Sequence, residues 1–285
     1  MQIIQQLEVL RSAVVTVRKD GGTLALVPTM GALHEGHLAL VREAKQAADH
    51  VAVSIFVNPR QFGPNEDLDN YPRQFEQDAQ LLREEGVTLL WAPDTGIMYP
   101  PDHMTNVSVA GPSHGLCGAS RPGHFDGVAI VVLKLFNQVR PDCAFFGEKD
   151  WQQLAVIRRM ARDLDLMQPS ADAIRAVHTV READGLAMSS RNAYLSAGQR
   201  AQAAVLPQAM EHALGQISGG APVAEALEEL RATLLNSGFA SVDYAELRAG
   251  DTLRLLNSAA PEARLFVAAR IGLTRLIDNM PLVQS

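Results

Sequence analysis

Short apolar runs alternate with helical patterns over the first 180 residues, and this alternation constrains the fold more than any other feature of the chain. Residues 23–27 ("TLALV"), 51–57, 87–93 and 143–147 read as strands. Residues 38–48, 71–86, 127–141 and 150–164 read as helices, with apolar side chains recurring three and four positions apart. In the first of these helices Leu38, Val41, Ala44 and Ala48 fall on or near one face, and the second is stopped by Gly86. Strands alternating with helices predict an open, doubly wound, mostly parallel sheet covered on both faces. After Asp184 the pattern changes. Helical stretches at 197–217 and 221–236, separated by "SGGAP", precede strand-like runs at 241–248, 263–272 and 274–280, which predicts a smaller C-terminal α+β domain. The expected division is 1–180 and 181–285.

Composition narrows the function classes. The chain has 285 residues, 47% hydrophobic and 20% charged, enough to build a substantial core. A net charge of −7 argues against a generic partner of nucleic acid or anionic membrane, since phosphate backbones are held by Lys and Arg. An anionic small molecule remains compatible, because a few cations can make one cleft positive. Cys117 and Cys143 form no CxxC pattern and read as free thiols of a reducing, cytoplasmic environment. Glu8 and Arg11 interrupt the N-terminus, which does not read as a signal peptide, and no apolar run approaches the ~20 residues of a membrane span.

In a doubly wound sheet, ligands bind outside the carboxyl ends of the strands. The unusual polar stretches fall there. "PTMGALHEGH" (28–37) follows the first strand, "NPRQFGPNED" (58–67) the second, and "GEKD" (147–150) the fourth, while "CGASRPGHFDG" (117–127) precedes a long apolar helix. His34 and His37, three apart, share one face of a helix that starts near them, where unpaired N–H groups and imidazole donors would meet an anion. The plainer reading is a capping turn with incidental histidines. A zinc-protease pattern would place the histidines four apart, and no Cys/His cluster supplies a third ligand, so no metal-binding residue is assigned. Neither G-x-x-x-x-G-K-[ST] nor G-x-G-x-x-G occurs, so a nucleotide would need another cradle. In "GLAMSSRN" (185–192), Ser189, Ser190 and Arg191 could hold a polyphosphate, or form a helix cap with a surface arginine. Lys149 could neutralise phosphate or be a solvated lysine at a helix start. Gln61 and Gln153 could be surface residues, and His124 could line a site or cap the next helix.

Five stretches in order, "PTMGALHEGH", "FVNPRQFGPNEDLDNYPR", "RPGHFDGV", "FFGEKDWQQL" and "READGLAMSSRN", together resemble the pantothenate synthetase (pantoate–β-alanine ligase) family over residues 28–195. The first resembles the HIGH motif and the last the KMSKS-like loop of the adenylating nucleotidyltransferases. The resemblance implies a Rossmann-like N-terminal domain (1–180) binding nucleotide and pantoate, and a C-terminal α+β lid (181–285). It implies that pantoate and β-alanine are joined to pantothenate through pantoyl adenylate, with ATP split to AMP and pyrophosphate, in a cytoplasmic homodimer. His34 and His37 would contact the ATP phosphates, with His37 the proton donor. Lys149, Ser189, Ser190 and Arg191 would hold phosphate oxygens, and Mg2+ would offset the remaining charge. Met30, Gly31, Gly147, Glu148, Asp150, Val180 and Met188 would complete the nucleotide site. Gln61 and Gln153 would hold pantoate, with Asn58 and His124 nearby, and Gln61 would also help place β-alanine. One stretch departs from the family pattern. Before "TVREADG", members read G-V-P or similar, whereas "QPSADAIRAVHTVR" is several residues longer, so 165–180 reads as an insertion. Three competing readings stay open: a nucleotidyltransferase that stops at a nucleotide-linked product, a non-catalytic nucleotide-binding module, and a metallohydrolase.

Overall fold

The computed structural model describes residues 1–64 and 66–283; Asn65, within the loop after the second expected strand, lies outside them. In chain order the first part comprises β1 (Gln2–Ile4), α1 (Leu7–Val17), β2 (Leu24–Thr29), α2 (Glu35–Ala47), β3 (His50–Ile55), α3 (Phe75–Glu84), β4 (Leu89–Trp91), α4 (Thr95–Met98), α5 (Leu116–Ser120), α6 (His124–Val139), β5 (Cys143–Gly147), α7 (Trp151–Asp163) and β6 (Ile174–Val177). Their six strands form one parallel sheet in the order β1-β4-β3-β2-β5-β6. The doubly wound expectation therefore holds. The strand order reverses between β2 and β5, and a crevice opens at the carboxyl ends of strands where the order reverses. The loop "PTMGALHEGH" and the turn "GEKD" flank that point.

Side-chain alternation explains why both faces are covered. Leu24 and Leu26 of β2 point into a core built from α1, α6 and α7, where Leu10, Phe136, Leu154 and Ile157 are fully buried. Ala25 and Val27 point the other way, against Val41, Ala44, Ala79 and Leu82 of α2 and α3. A strand buried on both faces reads as a continuous apolar run, as "TLALV" does.

Five elements go beyond the sequence expectations: β1, α1, the short helices α4 and α5, and β6. β1 has three residues, too few for a periodic signal, and takes an edge of the sheet beside β4. α1 follows it. β6 lies within the expected insertion: Ile174–Val177 pair with β5 and form the opposite edge, so this stretch is built into the sheet.

The second part comprises α8 (Ala197–Ala203), α9 (Val205–Ser218), α10 (Val223–Asn236) and an antiparallel sheet β7 (Ser241–Ala249), β8 (Ala263–Ile271) and β9 (Thr274–Pro281). The helix expected over 197–217 is divided at Ala204, because Pro207 lacks the N–H that would continue the ladder and fits only a first turn. β8 is buried on both faces. Leu265, Val267 and Ala269 meet α9 and α10, whereas Phe266 and Ala268, with Tyr244 and Leu253, enter the core of the larger sheet.

Candidate active site

The turn after β2 carries Gly31 at φ 84° and Ala32 at φ 49°, and α2 then starts with His34 as its N-cap. His34 Nδ1 accepts from the Gly36 N–H at 3.2 Å, and the His34 N–H donates to His37 Nδ1 at 3.3 Å. The rings lie 4.1 Å apart. This is a capping box made from two imidazoles, so the capping reading is correct as far as it goes. Because both Nδ1 atoms accept, each neutral ring carries its proton on Nε2. Burial, then the nearby Lys149 ammonium, lowers His34 to about 4. Burial, then His34 and Lys149, lowers His37 to about 3. Both rings are thus neutral N–H donors at pH 7.

Across the switch point, β5 ends in a tight turn, Glu148–Asp150, that leads into α7. Lys149 Nζ stands 3.9 Å from the Asp150 carboxylate. The turn is held from the C-terminal sheet: the Asn279 side-chain amide donates to the carbonyls of Glu148 (2.9 Å) and Lys149 (2.8 Å). Trp151 Nε1 donates to the Gly250 carbonyl at 2.6 Å, and the Arg264 guanidinium lies 3.7 Å above the Trp151 ring.

The loop after β3 supplies a buried amide network. Asn58 Nδ2 donates to Gln61 Oε1 (3.1 Å) and to the Gly127 carbonyl (2.9 Å), and its Oδ1 accepts from the Tyr99 hydroxyl at 2.9 Å. Gln61 Nε2 reaches Met30 Sδ at 3.1 Å. The Gln61 carbonyl can only accept, so His124 donates to it through Nδ1 at 2.8 Å, and His124 Nε2 accepts from Arg121 at 3.0 Å. Burial, then Arg121, lowers His124 to about 4. Arg121 itself is paired with Glu66.

The serine–arginine loop closes over these groups from the far side. Ser190 Oγ donates to the Ala32 carbonyl at 3.1 Å. Arg191 makes a two-pronged contact with Asp67, at 3.0 and 2.9 Å, and the Tyr194 hydroxyl donates to the Asn70 carbonyl at 3.2 Å.

One cavity of about 220 Å³ collects these side chains. Met30, His34, His37, Asn58, Gln61, His124, Gly147, Lys149, Asp150, Gln153, Val180, Met188, Ser189, Ser190 and Arg191 all line it. Gly31 and Glu148 do not: Gly31 makes the turn behind, and Glu148 faces His178 at 3.1 Å and Arg264 at 3.7 Å. Val128, Val131 and Val132 of α6 form an apolar wall. Arg121 and Tyr71, inside "RPGHFDGV" and "FVNPRQFGPNEDLDNYPR", also line the cavity and go beyond the site residues expected from the sequence. Lys149, Arg121 and Arg191 extend into a groove of about 380 Å³ between the two sheets, which Arg270 and Arg275 also line. Among the described residues no three His, Cys, Asp or Glu side chains cluster as a metal site. The arrangement presents neutral N–H donors, cations and amides around an apolar pocket, which suits an anionic ligand with an apolar body.

The chain matches the family profile described as pantoate-beta-alanine ligase over residues 2–281. It is 64% identical over 281 residues to the pantothenate synthetase of Novosphingobium aromaticivorans, covering 98% of each chain. The crystal structure of the Thermus thermophilus pantothenate synthetase superposes with a TM-score of 0.92 at 45% identity, covering 99% of each chain. That of the Francisella tularensis pantoate-beta-alanine ligase, complexed with beta-gamma ATP and beta-alanine, superposes with a TM-score of 0.83 at 33% identity, covering 99% of this chain and 98% of that one.

Proposed function

This chain belongs to the pantoate–β-alanine ligase family and is a pantothenate-forming enzyme; on that premise we propose that it works in two steps, through pantoyl adenylate. The single observation that supports this route is convergence: side chains from five separate stretches line one cavity at the switch point of the sheet.

In the first step a pantoate carboxylate oxygen attacks the α-phosphorus of ATP, the bond from that phosphorus to the bridging oxygen breaks, and pyrophosphate leaves. The carboxylate is ionised at pH 7 and needs no base. Catalysis then rests on alignment and on charge stabilisation. Nε2–H of His34 and of His37 would donate to phosphate oxygens. The lowered pKa values of these two rings are those of the protein groups alone; an arriving polyphosphate would raise the basicity of His37, so proton donation would follow nucleotide binding. Lys149, Ser189, Ser190 and Arg191 would meet the remaining oxygens. Magnesium would arrive with the nucleotide and neutralise phosphate charge; Asp150, a half-exposed carboxylate lining the cavity, suits an ion held by one or two carboxylates plus substrate phosphates.

Gln61 and Gln153 would hold pantoate through neutral amides, and the valine wall of α6 suits its geminal methyl groups. Met30, Gly147, Val180 and Met188 would border the nucleotide. In the second step the neutral amine of β-alanine attacks the acyl carbon, the carbon–oxygen bond to AMP breaks, and the amine gives up a proton. A closed site protects the mixed anhydride from water, and the contacts of Ser190 and Arg191 with the N-terminal loops supply such a cover. The homodimer and the cytoplasmic location are carried over from the family resemblance alone.

Pantoate-dependent exchange of pyrophosphate into ATP, followed by AMP release only when β-alanine is added, is the expected result. Exchange without pantoate, or a final product still linked to the nucleotide, would refute the route.

A further inference from the structure

Asp78 of α3 is 1% exposed and has no cationic partner among the described residues. A buried carboxylate without a counter-ion needs strong hydrogen bonds in its place. It finds them in the histidine turn: Oδ2 accepts from the Ala32 N–H and Oδ1 from the Leu33 N–H, each at 2.8 Å, with the Gln74 side chain a third donor at 3.3 Å. The accounting of the turn is then complete. Gly31 N–H goes to Thr29 Oγ1, Ala32 and Leu33 go to Asp78, and His34 goes to His37 Nδ1.

Two further observations single out this contact. Ala32 sits at φ 49°, a left-handed conformation costly for a residue with a Cβ and stable only when its surroundings enforce it. A Cβ at Gly31 would come within 3.0 Å of Asp78 Oδ2, so the glycine makes room for the carboxylate. The Ala32 unit also faces both ways, since its N–H is held by Asp78 and its carbonyl accepts from Ser190 Oγ at 3.1 Å.

We infer that Asp78 is a positioning residue for the first chemical step: it clamps the left-handed turn at Ala32 and so sets the spacing between the His34/His37 pair and the Ser190 loop. Asp78 lines a separate depression behind the turn and acts through the backbone it holds. The inference rests on the functional reading above.

The test uses pantoate-dependent pyrophosphate exchange and amide hydrogen exchange together. Asp78→Asn keeps the shape but points one amide group at a backbone N–H. Displacing reacting groups by about 1 Å costs on the order of 10²-fold in rate, so kcat for exchange should fall by about that factor while KM for pantoate changes little. Amides in residues 30–34 should exchange faster than in the wild type. A loss of folded protein would also lower kcat, so the variant is combined with Ser190→Ala. If Asp78 acts through the Ala32 unit, the double variant loses less than the product of the single losses; a purely structural defect multiplies with it. Should Asp78→Asn not fold, Gln74→Ala removes only the third donor to the same carboxylate, and a severalfold drop in kcat with faster exchange at 30–34 is expected. Undiminished kcat in the folded variant, a multiplicative double variant, or unchanged amide exchange in the turn overturns the positioning role. Absence of pantoate-dependent exchange in the wild type overturns the functional reading instead, and the amide measurement still decides whether Asp78 clamps the turn.

Discussion

Because His37 Nδ1 is taken by the His34 backbone N–H, only Nε2 is free to meet a ligand. The same holds for His34, whose Nδ1 caps α2. Capping and ligand contact therefore use different atoms, and a substitution can separate them. Asn is a good N-cap, so His34→Asn should leave thermal stability near that of the wild type, whereas His34→Ala should cost about 0.5–2 kcal/mol. Both should slow single-turnover pyrophosphate release by roughly 10²–10³, the usual loss for one charge-stabilising donor. An unchanged rate in His34→Asn would remove that histidine from the chemistry. Gln153→Ala should instead raise the pantoate concentration needed, and an unaltered pantoate KM would take Gln153 out of that role. His124 predicts a pH effect. Folded His124 is lowered to about 4, while the unfolded chain protonates near 6.5. Between those values the unfolded state binds the extra proton, so stability falls as pH drops from about 6.5 toward 4 and is unaffected above that window. His34 and His37, lowered to about 4 and about 3, act in the same direction, so His124→Gln should make the fall in urea midpoint between pH 7 and 5 shallower without abolishing it; an equally steep fall would mean that the other two histidines carry all of it. The histidine pair was legible in the sequence because its spacing and its place after a buried strand can be read locally. Asp78 and Arg121 were not, because what defines them is a partner far away in the chain: the turn that Asp78 holds is more than 40 residues distant.

At the scale of elements, the amide network depends on how closely α6 approaches the turn Pro59–Gln61. Gly127 lies at that contact, and a Cβ there would fall 2.1 Å from the Arg60 carbonyl oxygen and 2.7 Å from the Gln61 nitrogen. The Gly127 carbonyl also receives the Asn58 amide. Gly127→Ala must push helix and turn apart, which predicts a destabilisation of about 1–3 kcal/mol and a higher pantoate KM, since Gln61 moves with the turn. Normal stability with an unchanged pantoate KM would show that the contact yields without cost. The strong elements were predictable from residue patterns: β2 from its apolar run, α2 and α7 from their spacing. The short edges were not. β1 and β6 have three and four residues, too short for alternation to register, and their strand character comes from pairing with β4 and β5. The division of 197–217 at Ala204 was signalled by Pro207, which the apolar spacing outweighed.

At the scale of the whole molecule, the position of β8 decides how the site can open. A lid that swings freely would keep one face of its sheet for its own core and leave the other solvated. Here Phe266 and Ala268 of β8, Tyr244 of β7 and Leu253 are buried in the same cluster as Phe136, Leu154 and Ile157 of the larger unit. Cluster membership of this kind couples the stabilities of the two sheets, since unfolding one exposes the apolar surface of the other. The expectation is then that closure around substrate falls to the loops that meet across the cavity, at residues 66–73 and 178–195, which touch through the polar contacts of Arg191 with Asp67 and of Tyr194 with Asn70. Urea unfolding should follow a single transition by tryptophan fluorescence and by circular dichroism, Trp91 reporting the parallel sheet and Trp151 the junction. Phe266→Ala, a large-to-small change in a shared core, should cost about 3–5 kcal/mol. It should also speed the slowest-exchanging amides of β2 and β3 as much as those of β8. Two separated transitions, or acceleration confined to residues 197–281, would show instead that the C-terminal unit is stable on its own and free to move as one body.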